Sequence, residues 1–358
     1  MDDRDELVLA TRQPPAEARL YAPSWVDQLT DRVDRLPLPS WVFYLILWLL
    51  LFMVVTLVAW SSGSYPAGVF LPLHLVLTGT IPYSLALIHT LDQTAKTSLT
   101  KFRPALDVTD REFTELEFRL TTLPRVPTIV ASLIAVGLVA LILRFAPGDW
   151  WDPASSPVTG YSAGGNILVT LAMWWMVGAF AYHTLHQLRL VSHIYARYTR
   201  INLFRLTPLY AFSSLSARTT VGLLIPLYAW IVVLPNSFNR VGHVSVAIAA
   251  SALALLIFIW PLVGIHRLLA DEKERLLAAG SQRMEAAVAD LHERMDGRQL
   301  EGMDDLVKGM EGLEMEQKAI SRISTWPWAA EPRGLIAALL FPLIVWFGQW
   351  ILQRALGG

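Results

Sequence analysis

The 358-residue chain contains no cysteine. That excludes disulfides, zinc–thiolate sites, iron–sulfur clusters and cysteine nucleophiles. Charge is scarce too: 16% of residues are Asp, Glu, Lys or Arg, against roughly 25% in a soluble domain. Lysine is the rarer cation, with 5 against 24 arginines. The formal net charge of −1 gives no bulk pull towards nucleic acid, which is not expected among the partners. No G-x-x-x-x-G-K-[ST], G-x-G-x-x-G or H-E-x-x-H occurs, so nucleotide and zincin chemistry have no visible site and no cofactor is expected. The opening MDDRDELVLATRQPPAEARL lacks a basic start followed by a short apolar core, so no cleavable secretory signal is expected.

What the chain has is apolar length. It is 54% hydrophobic with a mean hydropathy of +0.43. A membrane span needs about 20 apolar residues. Seven stretches qualify: 41–60, 67–90, 126–146, 167–187, 219–235, 243–265 and 334–353. The expected fold is all-α, a polytopic bundle of about seven transmembrane helices in a lipid bilayer. The fifth stretch is the shortest and contains Pro226.

Lysine and arginine set the orientation. Residues 1–40 hold 5, residues 91–125 hold 6, residues 188–218 hold 5 and residues 266–333 hold 10. With seven spans, all four segments fall on one side. The expectation is a cell-membrane protein with a cytoplasmic N-terminus and an extracytoplasmic C-terminus. Tryptophans 41, 60, 326, 328, 346 and 350 stand where interfacial anchors belong.

This divides the chain into a partly disordered N-terminal segment (1–40), a six-helix region (41–265) with cytoplasmic loops 91–125 and 188–218, a cytoplasmic segment (266–325), and a re-entry segment with the last span (326–358). Within 266–325, apolar residues recur at helical spacing up to Met295, and Gly297 and Gly302 interrupt them. A second run, Met303, Leu306, Met310, Leu313, Gln317 and Ile320, steps by three and four, as a heptad seam does. An antiparallel helical hairpin or coiled coil is expected, its first arm continuing the sixth span for about 30 residues, roughly 45 Å. It is the expected surface for a cytoplasmic partner or a second copy. Residues 266–323 carry 13 acidic and 9 basic residues, whereas loop 188–218 is +5 with no acid. The two are therefore expected to pack together. In loop 91–125, Thr109 and Glu112 form a capping box opening a short amphipathic helix. Residues 22–36 suggest a similar one.

Gly160-Tyr-Ser-Ala-Gly164 matches G-x-S-x-G, but it lacks the strand context and nearby histidine that a nucleophile elbow requires. Six of the seven stretches contain no Asp, Glu, Lys or Arg, and 126–146 contains only Arg144 near its end. Coupled transporters place carboxylates at mid-membrane, so their absence counts against that class. His74 is the one ionisable group well inside a span, expected as a neutral histidine bonded to a neighbouring helix. The cytoplasmic ends of the second, fourth and sixth stretches carry His89 and Asp92, His183 and His186, and His266. If those helices are neighbours, the five side chains form a candidate metal or pH-sensing cluster. Beyond it, Arg189, His193, Arg197 and Arg200 lie on one face of a helix, opposite Val191, Ile194 and Tyr195. They form a basic interfacial stripe facing lipid headgroups or the acidic hairpin.

The expected function is that of a non-enzymatic sensor or scaffold working through the hairpin. A channel or small-solute permease, with Thr78 and Thr80 between Pro72 and Pro82 lining a polar path, is the alternative. A histidine–metal membrane enzyme is the third.

Overall fold

In the computed structural model of the chain, the described residues are 20–63, 66–145, 163–203, 206–234, 241–298, 302–325, 344, 346–348 and 351. They are mostly helical, and no strand occurs among them. In chain order the helices are α1 (Trp25–Asp34), α2 (Ser40–Ser61), α3 (Pro72–Phe102), α4 (Asp110–Thr121), α5 (Arg125–Phe145), α6 (Ala163–Tyr198), α7 (Ser213–Val233), α8 (Val241–Asp296) and α9 (Met303–Ser321). Single 3₁₀ turns at Arg103–Ala105 and Thr207–Tyr210 link them.

Among the described residues, five segments are long and apolar enough to cross a membrane: Ser40–Ser61, Arg125–Ile142, Ile167–Tyr198, Thr207–Val233 and Gly242–Asp296. The expected second span is missing from that group, and its packing gives the reason. α3 packs against α2, α4, α6 and α7, so much of its surface faces protein, while Leu75 stays exposed. Thr78, Ser84, His89, Thr94 and Ser98 are all buried. The hydroxyls of Thr78, Thr80, Thr90, Thr94 and Thr97 bond the carbonyl four residues back in the same helix. This lets a polar sequence sit inside a bundle without orphaned groups. α2 and α5, by contrast, expose most of their apolar surface. The expected seventh stretch, 334–353, lies mostly outside the described residues. The described Trp346 and Phe347 pack on α7 and α8. The G-x-S-x-G loop also lies outside them, apart from Ala163 and Gly164, which open α6.

Two glycines set how closely helices approach. A Cβ on Gly178 in α6 would stand 2.7 Å from the Ala131 carbonyl and from Ser132 Cα in α5. α5 and α6 therefore meet backbone to backbone, as small residues permit in bilayers. Gly222 in α7 likewise admits Leu87 of α3. Pro226, one turn on, cannot donate to the Gly222 carbonyl. The Tyr83 hydroxyl supplies the missing donor at 2.7 Å.

The basic loops are not separate from one another. The ends of α3 and α6, all of α4, the segment around Leu203 and Leu209, the start of α7, the middle of α8 and the end of α9 share one apolar core. Phe102, Tyr195 and Phe212 meet there edge to face or tilted. The Tyr195 hydroxyl donates to the Leu209 carbonyl. α8 runs 56 residues without interruption, from the apolar segment into this core. α9 returns beside it, with Gln317 against Gly280 and Lys273 bonded to the Ser321 and Ile323 carbonyls. Gly302 starts α9 at φ +78, the left-handed conformation glycine tolerates.

The expected contact between 188–218 and 266–323 is present, but apolar packing makes it, not charge. Arg200 pairs with Asp107, while Arg275 and Arg294 pair with Glu272 and Asp290 along α8 itself. The Thr109–Glu112 capping box opens α4 as expected.

Candidate functional site

The polar groups that the sequence placed at the ends of neighbouring helices converge where α1, α3, α4 and α6 meet. His89 and Asp92 are one turn apart on α3, and His183, His186 and Gln187 lie on α6. Nε2–H of His183 donates to Oδ1 of Asp92 at 2.8 Å. The Gln187 amide donates to the same oxygen at 2.9 Å and is 3.2 Å from the Leu120 carbonyl. His183, His89 and Gln187 are buried. His89, His183 and His186 all lie near enough to Asp92 to act on its charge.

His186 shares the wheel face of His183 but not its role. Its Nε2–H donates to the Arg119 carbonyl at the end of α4, and its ring stacks on Tyr182. It fastens α6 to α4. His89 sits in a second chain of contacts. The Tyr44 hydroxyl of α2 lies 3.1 Å from its Nδ1, and Oδ1 of Asp34, at the end of α1, lies 2.9 Å from its Nε2. Because Asp34 is 56% exposed and His89 is buried, this chain runs from solvent into the bundle. His266, the fifth expected member, stands apart, its Nδ1–H donating to the Thr325 carbonyl. Among the described residues no three His, Asp or Glu side chains gather in a metal-holding arrangement. His74 is buried. The Thr78 and Thr80 hydroxyls each donate to the carbonyl one turn back in α3.

One central member went unnoticed in the sequence. Asp27 of α1 is buried beside this cluster. Its Oδ2 accepts from the Ser24 N–H, the Ser24 hydroxyl and the Leu123 N–H, at 2.8, 2.7 and 3.1 Å. Its Oδ1 is buried with no partner among the described residues, as is Nδ1 of His183. Burial, offset in part by the Ser24 hydrogen bonds and reinforced by the Asp92 carboxylate, pushes the Asp27 carboxyl up to about 7. The adjoining strand of chain is pinned as well: Tyr21 donates to the Thr122 carbonyl, and Ser24 N–H to that of Leu123. Ser24 and Asp27 form a capping box, S-x-x-D, the same signal as Thr109 and Glu112. That signal was available in the sequence.

Arg189, His193 and Arg197 are exposed on α6, while Val191, Ile194 and Tyr195 are buried opposite; Arg200 is exposed too but lies beyond the helix end at Tyr198, so it is not part of the helical stripe. The stripe is therefore free to meet solvent or headgroups, and Arg200 pairs with Asp107. The arrangement as a whole ties α1, α3, α4 and α6 together. The chain matches no protein-family model, no curated protein and no solved structure.

Proposed function

We propose that the chain is a non-enzymatic sensor or scaffold of the cell membrane. In this reading it crosses seven times with a cytoplasmic N-terminus. α8 and α9 form a cytoplasmic antiparallel hairpin that binds a partner or a second copy. The carboxylate–histidine cluster is the proton-responsive joint between the bundle and its cytoplasmic part. The supporting observation is α8, one unbroken helix whose first half belongs to the apolar bundle and whose second half carries α9. At 1.5 Å per residue it is about 84 Å long, well beyond a hydrocarbon core of about 30 Å. A rigid element shared by both parts can pass a change in one to the other. Val307 and Met315 on α9 are exposed, Met315 by 67%. An exposed apolar face marks an interaction surface.

The test is affinity capture from membranes in mild detergent, with sizing of the complex, for the native chain and for a Val307→Lys, Met315→Lys variant. A bound protein or higher oligomer that the variant loses supports the reading. A lone monomer in both would sink it. Selective solute flux by the purified protein in liposomes would replace it with the channel reading.

A further inference from the structure

α2, α3 and α7 enclose an apolar groove of about 450 Å³. Small residues and prolines open it: Gly79, Pro82 and Ala86 on α3, and Pro226 and Ala229 on α7. Trp48 rises as one wall, and Gly79 makes room for it, since a Cβ there would sit 2.9 Å from the indole nitrogen. Three polar groups of the walls are already engaged. Trp48 Nε1–H donates to the Leu75 carbonyl, Tyr83 to that of Gly222, and Thr80 to that of Val76. The lining is otherwise almost wholly apolar, and hydrocarbon is the chemistry that fits it.

We propose that the groove holds one acyl chain of an anionic phospholipid whose phosphate sits at Arg35. Length, charge and continuity with the lipid-facing surface argue for this occupant. Along α3 the groove extends from Leu75 to Ala86. Eleven steps at 1.5 Å give about 16 Å, the depth of one leaflet of a hydrocarbon core about 30 Å thick. On α2 it ends at Trp41, six residues after Arg35, in the first turn beyond the α1–α2 corner. Arg32 and Arg35 are exposed there, and no ion pair engages them among the described residues. A cation beside the mouth of an apolar slot suits a phosphate at the membrane surface. The groove is continuous with the outward faces of Leu45, Ile225 and Val232, all exposed. The described Trp346 and Phe347 pack against a different cluster, built on Leu224 and Leu227 of α7 and Val244 and Ala247 of α8. Tyr44 lines the groove and also reaches His89, so the bound chain would brace the residue that connects to the buried cluster.

The inference rests on α2, α3 and α7 lying together in the bilayer, and its test separates the two ideas. Full-length protein is placed in nanodiscs containing phosphatidylglycerol or phosphatidylcholine with a photoactivatable group along the acyl chain. Adducts are then mapped to peptides. Phosphatidylglycerol should label residues 75–86 and 225–233 in preference to the outer face of α5. Ala229→Trp should cut that labelling by at least about tenfold, the loss expected when about two methylenes are no longer buried. Ala86→Leu gives the same reading with a smaller insertion. Arg35→Glu should remove the preference for phosphatidylglycerol over phosphatidylcholine. Val130→Trp, on an exposed face of α5, should change nothing. Uniform labelling of α5 and the groove, or adducts between two copies at the groove, would overturn the proposal alone. No labelling anywhere would overturn the membrane reading with it.

Discussion

Nε2 of His183 stands 2.8 Å from Oδ1 of Asp92, a contact between residues 91 positions apart in the chain. His183 is 1% exposed and Asp92 15%. Gln187 shares the carboxylate. Removing Asp92 would leave the buried His183 donor without its acceptor and Gln187 with the Leu120 carbonyl alone, and an unsatisfied buried donor costs about 1–3 kcal/mol. Asp92→Ala should therefore lower the melting point in mild detergent. Asp92→Asn keeps an oxygen where both donors now bond and should cost clearly less. Equal melting of the two variants and the native chain would show that the pair holds nothing together.

Asp27 gives stability a pH dependence of definite sign. Its carboxyl titrates near 3.8 when unperturbed and near 7 in the fold. Between those values the folded chain binds a proton that the unfolded chain has lost, so stability falls as pH rises from about 4 to about 7. The Asp27→Asn variant keeps an acceptor for Ser24 and Leu123 without a charge. It should lack that decline and should outlast the native chain at pH 8. Thermal unfolding of both at pH 5 and pH 8 measures it. Parallel changes in the two proteins would remove Asp27 from the account.

The legible part of this architecture was whatever announces itself by hydrophobic period or by spacing along one helix. The buried and exposed faces of 188–200 and the capping box at Thr109 belong to that class. So do the shared helix faces of His89 with Asp92 and of His183 with His186, because i, i+3 spacing fixes a common face whatever the helix packs against. Position across helices is not so encoded. His266 lies at the end of an equivalent stretch yet turns to the Thr325 carbonyl. Nothing in its own neighbourhood indicates which helix it faces. Asp27 was passed over because an acid in an amphipathic helix normally faces water. Only the pairing of Ser24 with Asp27 three residues on marked it. The status of α3 was hidden for the opposite reason. Its threonines lower its hydropathy, and only the neighbouring helices explain why polar residues can be buried there.

Gly178 and Gly264 are both helical glycines, and the fold assigns them opposite costs. A methyl on Gly178 would meet the Ala131 carbonyl at 2.7 Å, whereas nothing lies within 4 Å of one on Gly264. Gly178→Ala should force α5 and α6 apart at a cost of about 1–3 kcal/mol. Gly264→Ala should be neutral or stabilising by up to about 1 kcal/mol through helix propensity. Melting in one detergent ranks them, and the reverse order would contradict the close α5–α6 contact.

The absence of cysteine makes topology directly testable, because any cysteine introduced is the only one. Under the seven-span reading, Arg35→Cys, Arg200→Cys and Arg298→Cys share a side, and Ser62→Cys faces the other. A membrane-impermeant maleimide added to intact cells should label only Ser62→Cys, and inverted vesicles should reverse the pattern. Labelling of Arg200→Cys and Arg35→Cys from opposite sides would require an odd number of crossings between them, and the orientation would have to be redrawn.

Lys273 joins α8 to the end of α9. Its Nζ donates to the Ser321 carbonyl at 2.7 Å and the Ile323 carbonyl at 2.9 Å. Carbonyls in the last turn of a helix lack internal partners, and the helix dipole is negative there, so an ammonium suits the position twice over. Lys273→Met keeps the aliphatic stem and removes the ammonium. The loss should be about 1 kcal/mol for docking of the α9 end, or about fivefold faster proteolysis around 321–325 when cleavage follows local opening. Lys308→Met removes an exposed ammonium from α9 itself and provides the control. It should leave cleavage unchanged. If the two variants are cut at the same rate as the native chain, Lys273 is a surface lysine and α9 is held by its apolar face alone, through Ile320 in the shared core.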